Sequence, residues 1–303
     1  MIKLAIYDKP ASKTFSGLKQ VIFIGNYEKD NGFHGTATNW VAQEIYRKYG
    51  QGLNIQQYAY SNYHNSFNDF LDWAINNKID ILSISWTLIK SIDRDLALQK
   101  ALDNGIIIIA SAGNDGADDE KISWPARDPR VVAVGAWDKK RNTIAGYSSW
   151  GADVYITAQG NWQIPIASGS LVDVSGTSFS TPEIAMYASI WKAITNGTRE
   201  EFMEFLKENA KDVMTPGRDN ATGWGLFTWS KELNFLKEKK NMEIKMTIGS
   251  KKYYVNGNEK YMDTVPILNE DNRTLVPIRF IVEALGCNVE WDNITQTVII
   301  TKE

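Results

Sequence analysis

The run "IIIIASAGNDG" at 106–116 sets the reading of the rest of the chain. Four isoleucines followed by Ala-Ser-Ala leave no polar face, so "IIIIASA" reads as a strand buried on both sides, the pattern of a parallel sheet covered by helices. The Gly-Asn-Asp-Gly that follows is turn chemistry and puts Asn114 just beyond the strand's carboxyl end. Immediately upstream, "DRDLALQKALDNG" (93–105) is a helical pattern closing on Gly105, and "DILSIS" (80–85) is another strand. Farther out lie strands "KLAIYD" (3–8), "QVIFIG" (20–25), "RVVAVGAW" (130–137) and "DVYITA" (153–158), with helices "TNWVAQEIYRKYG" (38–50) and "SFNDFLDWAINN" (66–77). This alternation predicts an α/β fold with a mostly parallel central sheet and helices on both faces. Reactive groups in such sheets collect outside the carboxyl ends of the strands.

Composition narrows the function classes. The chain has 303 residues, 43% of them hydrophobic, with 33 basic and 36 acidic residues and a formal charge of -3. That is enough for one large domain and a small one, and it gives no electrostatic reason to expect nucleic acid or an anionic membrane as partner. A single cysteine, Cys287, excludes an internal disulfide and fits synthesis in a reducing compartment. Met1 runs straight into a strand-like segment, with neither a signal-peptide pattern nor an apolar membrane span, so cytoplasmic synthesis is expected.

Four stretches meet the carboxyl-edge criterion. "KLAIYD" ends in Asp8, "FHGTATNWVA" puts His34 just before a helix, "IIIIASAGNDG" supplies Asn114, and "VSGTSFSTPEIAMYASIWKAI" (174–194) puts Ser178 where turn chemistry meets an apolar helix. Ser178 can be a helix cap or a nucleophile on that evidence alone. Together the four supply what acyl transfer needs: a hydroxyl, an imidazole to take its proton, a carboxylate to fix the tautomer, and an amide donor for the oxyanion. The Ser178 backbone N–H, at a helix N-terminus, would be a second oxyanion donor. The other histidine, His64 in "SNYHNSF", reads as a surface-loop residue.

The order Asp, His, Asn, Ser, at separations 34 − 8 = 26, 114 − 34 = 80 and 178 − 114 = 64, with "HGT", "SAGN" and "GTSFSTP", resembles the subtilisin-like serine proteases (subtilases). "SISWT", "WPARDPRVVAVGAWD", "YSSWGADVYITAQG" and "GWGLFTWSKEL" extend the resemblance over residues 1–237. It implies Asp8, His34 and Ser178 as catalytic triad, Asn114 as oxyanion donor, and a protein or peptide substrate. It also implies a substrate strand along Ser85, Trp86 and Thr87, faced by a strand near 160–165, and a primary pocket walled by Ser111, Ala112 and Gly113 with Asp115 on its rim. No cofactor is implied; loops of such proteins often hold structural Ca²⁺, but no ligand spacing can be named here. A cis peptide is implied at Trp124–Pro125.

Several positions depart from the family pattern. Asp8 is followed by Lys9 and Pro10 rather than by a small residue and glycine, which bears on how Asp8 is supported; Asp30, in a turn, is the alternative carboxylate. Phe179 replaces the usual methionine after the serine, predicting better tolerance of peroxide. Glu183 stands where histidine is usual, and Thr87 where many relatives have glycine. The chain begins within a few residues of Asp8, where a propeptide is usual; if that start is native, a phage or bacterial protease released by lysis is the favoured setting.

After a linker at 238–243, residues 244–303 change to short alternating strands, an Asn256–Gly257 hairpin turn, a helix "PIRFIVEALG" closing on Gly286, and a terminal hairpin. This small α+β domain resembles the copper amine oxidase N-terminal domain, without histidine and hence without a copper site. Binding of a cell-surface component or self-association is the expected role. The sequence thus predicts a serine endopeptidase with an accessory module. The alternative is a catalytically weak relative acting as a binding or regulatory protein.

Overall fold

The computed structural model describes residues 1–25, 33–63, 66–117, 122–166, 170–230, 243–285 and 287–301. Asp30, His64, Gly286 and most of the 238–243 linker lie outside them. The chain divides into two compact units, Met1–Lys231 and Glu232–Glu303.

In the first unit β1 (Ile2–Asp8) lies inside one large sheet. β3 (Ile55–Ser61) and then β2 (Ile22–Ile24) lie on one side of it; on the other lie β4 (Ile81–Ile84), β5 (Ile107–Ser111) and β6 (Val132–Asp138). Beyond β6, β8 (Ile156–Gln159) pairs in parallel and the short β7 (Thr143–Ile144) is antiparallel. Every other pairing in this sheet is parallel. The chain turns outward in opposite directions from β1 and β4, so a crevice opens at their carboxyl ends.

The sheet is covered on both faces, which is why β5 is apolar up to its closing Ser111 and all five of its residues are buried. One face carries α2 (Phe67–Asn76) and α3 (Ile92–Asp103), packed with Tyr7, Tyr60 and Trp124 into one apolar cluster. α2 starts with a capping box, the Ser66 hydroxyl accepting the Asp69 N–H at 3.1 Å and the Asp69 carboxylate accepting the Ser66 N–H at 3.0 Å. The other face carries α1 (Phe33–Ile45) and α4 (Thr177–Thr195). Fifteen of the nineteen α4 residues are buried, so its apolar composition runs all round rather than in a stripe. α5 (Arg199–Asn209) follows, opened by a Thr198–Glu201 capping box.

α1 begins at Phe33, so His34 sits inside its first turn rather than ahead of the helix. Its polar start still packs tightly: Gly35 lies against the loop after β1, where a Cβ would run into the Lys9 carbonyl. Among the described residues β9 (Asn161–Pro165) pairs with β10 (Leu171–Ser175) alone, as an antiparallel ribbon leading into α4. That ladder takes up one edge of β9, the strand expected to face Ser85–Thr87 across a bound peptide, and leaves its other edge unpaired. The Trp124–Pro125 peptide is cis.

In the second unit β11 (Ile244–Met246), β12 (Lys252–Val255) and β13 (Asn258–Tyr261) form an antiparallel sheet. The β12–β13 turn holds Asn256 and Gly257 at φ 50° and 80°, the left-handed pair an Asn-Gly hairpin requires. Two ribbons, β14 (Ile267–Leu268) with β15 (Thr274–Leu275) and β16 (Asn288–Asp292) with β17 (Thr297–Thr301), flank α6 (Ile278–Ala284).

Candidate active site

The Asp8–His34 side is built on the end of β1. Asp8 is fully buried, and four groups converge on it or its loop. His34 Nδ1 lies 2.8 Å from Asp8 Oδ1, and the Lys9 N–H donates to that same oxygen at 2.6 Å. The Thr38 hydroxyl donates to Oδ2 at 2.8 Å. The Ser12 N–H donates to the Thr36 hydroxyl at 2.7 Å, tying the loop after β1 to the first turn of α1. Pro10 is buried in this contact, and Lys9 turns outward with its ammonium 5.7 Å from the Trp86 ring centroid. The Lys-Pro exit therefore supports Asp8 through a backbone donor. Because the carboxylate can only accept, the bond fixes the His34 proton on Nδ1 and leaves Nε2 a base. Burial pulls the His34 pKa down, but the hydrogen bond and charge of Asp8 outweigh it and the weaker repulsion of Lys9, so the pKa lies above its ordinary 6.5. The ring packs on Phe179 at 5.4 Å between centroids.

The Ser178 side is held through the backbone. Gly176, at φ 151°, turns the chain from β10 into α4, and α4 has no side-chain cap of its own. Asn114 caps it from across the sheet: its Oδ1 accepts the Thr177 N–H at 2.9 Å and lies 3.0 Å from the Thr177 hydroxyl. With Oδ1 so used, the two Nδ2 hydrogens are the donors left. The Tyr147 hydroxyl accepts the Gly176 N–H at 3.0 Å and donates to the Gly160 carbonyl at 3.1 Å. Burial, against the Gly176 hydrogen bond, pushes the Tyr147 pKa up to about 12, so the phenol stays neutral. The Ser85 hydroxyl donates to the Ser178 carbonyl at 2.8 Å. Among the described residues, neither the Ser178 hydroxyl nor its N–H has a hydrogen-bond partner, and none joins it to His34.

The two sides face one open cleft of about 410 Å³, lined by His34, Ser85, Trp86, Thr87, Ser111, Gly113, Asn114, Asp115, Thr177 and Ser178. Of the expected substrate residues, Ala112 is missing. In an extended segment side chains alternate, so Ser111 and Gly113 face the cleft while Ala112 packs into the core behind it. The Ser85 and Thr87 hydroxyls are also committed elsewhere, Thr87 donating to Ser123 at 2.9 Å, so this segment offers the cleft mainly its backbone and the Trp86 ring. Thr38, Thr177, Tyr147 and Ser123 were not singled out from sequence. Thr38 could have been, since it lies four residues beyond His34 on one helix face. Tyr147 and Ser123 carry no local signal, because the sheet brings them in from far along the chain.

A larger cavity, about 580 Å³ between Trp40, Trp162 and Lys139, contains none of the candidate residues. Among the described residues no three His, Cys, Asp or Glu side chains group as metal ligands, and no helix is long and apolar enough to cross a membrane.

Known proteins share this architecture. The Subtilase family model matches residues 24–225, and that of the Copper amine oxidase N-terminal domain matches 204–300. The chain is 30% identical over 247 residues to Minor extracellular protease Epr of Bacillus subtilis (strain 168), covering 75% of this chain and 38% of Epr. It is 32% identical over 159 residues to Subtilisin BL of Lederbergia lenta, covering 52% and 57%. The chain thus spans less than two thirds of either relative. Its fold matches the psychrophilic subtilisin-like protease Apa1 of Pseudoalteromonas sp. AS-11 with a TM-score of 0.61 at 14% identity, over 75% of this chain and 91% of that one. The chain belongs to the subtilase family.

Proposed function

We propose that the protein is a serine endopeptidase that cleaves peptide bonds through an acyl-enzyme, with Asp8, His34 and Ser178 as triad. The observation that carries this reading is the 2.8 Å Asp8–His34 contact opening onto the cleft that holds an unpartnered Ser178 hydroxyl. An extended peptide lies along the backbone of Ser85–Thr87. Ser178 Oγ attacks the scissile carbonyl carbon while His34 Nε2 takes its proton, and Asp8 stabilises the imidazolium that results. The carbonyl oxygen becomes an oxyanion, met by Asn114 Nδ2 and the Ser178 N–H at the start of α4. When the C–N bond breaks, His34 returns the proton to the leaving amine. Water then attacks the acyl ester by the same route in reverse, releasing the acid and restoring Ser178. The small C-terminal unit acts as a docking module for a surface component or a second copy of the chain.

Intact-mass labelling with a fluorophosphonate tests the triad. One adduct per chain is expected on wild type, and none on Ser178→Ala or His34→Ala. Unlabelled but folded wild type would mean a binding or regulatory protein instead.

A further inference from the structure

The terminal ribbon of the second unit has one residue out of place. In the β16–β17 register Val289 faces Ile300 and Trp291 faces Val298, giving an apolar face. The opposite face carries Asn288, Glu290, Asp292, Thr297 and Thr301, and in their midst Ile299, directly across from Glu290. Ile299 is 43% exposed, and all five residues of β17 are exposed. Among the described residues nothing accounts for an isoleucine there, and a two-stranded ribbon is marginal by itself.

The geometry points to β17 as a self-pairing edge through which two copies of this chain form a dimer. The strand reads Thr-Val-Ile-Ile-Thr, so it lacks the charges and the proline that commonly keep a free edge unpaired. It also reads alike in both directions. Antiparallel pairing about a two-fold axis through Ile299 sets Ile299 against its copy, Val298 against Ile300, and Thr297 against Thr301. Every cross-strand pair is then apolar–apolar or Thr–Thr, the favourable kinds. The same axis joins the two apolar faces into one. β16 cannot pair this way, because about its own central residue Glu290 would meet its copy, like charge against like. Those acids also close the assembly: a four-stranded sheet ends on two charged strands, giving a dimer rather than a fibre. A foreign strand or a surface component could use the same edge, but neither explains why the sequence complements itself. This inference is independent of the triad.

The test is sedimentation of the full chain across a concentration series, for wild type, Ile299→Lys and Ile299→Glu, with fluorophosphonate labelling followed in parallel. Wild type should sediment at the mass of two chains, and each variant alone at the mass of one, since like charges then oppose each other across the axis. An equimolar mixture of the two variants should regain the dimer, because lysine then meets glutamate. Labelling should be unchanged throughout, so loss of the dimer is separable from loss of the protease. A monomeric wild type, a dimer that survives both variants, an open-ended series of oligomers, or a mixture of folded variants that stays monomeric would each overturn the proposal.

Discussion

The two halves of the candidate site are fixed in different ways. Around His34 the contacts run from side chain to side chain and end in a buried carboxylate with three donors on it. Around Ser178 they run through main chain, from Asn114, Tyr147 and Ser85 to the backbone of Gly176, Thr177 and Ser178. The proposed chemistry explains the contrast. A base must change charge while keeping one tautomer, so it is held by a fixed opposite charge. A nucleophile must give up its proton and move, and its neighbouring donors must be unspent until the oxyanion forms. On that side the helix start is anchored while the reacting groups stay free.

Substitutions that break one half at a time should separate these modes. Ser178→Ala should be the most severe, lowering kcat by about 10⁶-fold, with His34→Ala adding little to it because the two act as one unit. That magnitude comes from subtilisin itself, as does the one for Asn114 below. Asp8→Asn should cost about 10⁴-fold in kcat by releasing the wrong tautomer. It should also shift the pH profile. His34 must be neutral to act, and Asp8 is what raises its pKa, so the acid limb of kcat/KM should lie above pH 6.5 in wild type and move downward in the variant. An unmoved limb would mean that Asp8 does not set the base.

On the other side Asn114→Ala should lower kcat by about 10²–10³-fold with KM little changed, because the lost donor is needed only by the oxyanion. Asn114 also caps α4, so thermal stability should fall together with kcat. Asn114→Asp separates the two effects, since it keeps the Oδ1 acceptor for Thr177 but replaces the donor with a negative charge. It should therefore retain more stability than Asn114→Ala while losing at least as much activity. If kcat survives, Asn114 is a cap alone. Thr38→Val removes one donor from a buried carboxylate and should destabilise by about 1–3 kcal/mol in a denaturant melt, with a smaller loss of kcat than Asp8→Asn.

Legibility from sequence followed the same divide between local and distant causes. The sheet could be read because strands buried on both faces leave unbroken apolar runs such as Ile106–Ile109, whatever lies next to them. Asp8, Asn114 and Ser178 stood out because each closes or opens such an element. That the Ala112 side chain turns into the core while Ser111 and Gly113 line the cleft follows from the alternation of an extended chain rather than from the residue types. The pairing of β9 with β10 could not be read, because no local pattern in "GNWQIP" announces it. Tyr147 went unnoticed because its role depends on two backbone groups, at Gly160 and Gly176, that meet only in the folded sheet.

The finest probe of the backbone-held half is Glu183, five residues beyond Ser178 on the same helix. It is buried, with the Gln159 N–H donating to one carboxyl oxygen at 3.1 Å and the Tyr187 hydroxyl to the other at 3.0 Å. Burial raises its pKa to about 8, against the smaller lowering effects of those two hydrogen bonds and of Lys139 and Lys48. A folded pKa above the unfolded value of 4.5 means that the folded chain binds the proton more tightly. The contribution is complete below pH 4.5 and is lost as the pH rises through about 8. Glu183→Gln keeps the shape and removes the titration, so its thermal stability relative to wild type should rise with pH across that window, by an amount on the order of a few kcal/mol at the alkaline end. Fluorophosphonate labelling should not change, since anchoring of the helix start rests on Gly176 and Asn114 rather than on this carboxyl. Equal pH dependence in both proteins would show that Glu183 is ionised in the fold and held by its two donors alone. A labelling rate that followed Glu183 would extend the anchor of Ser178 a full turn deeper into α4.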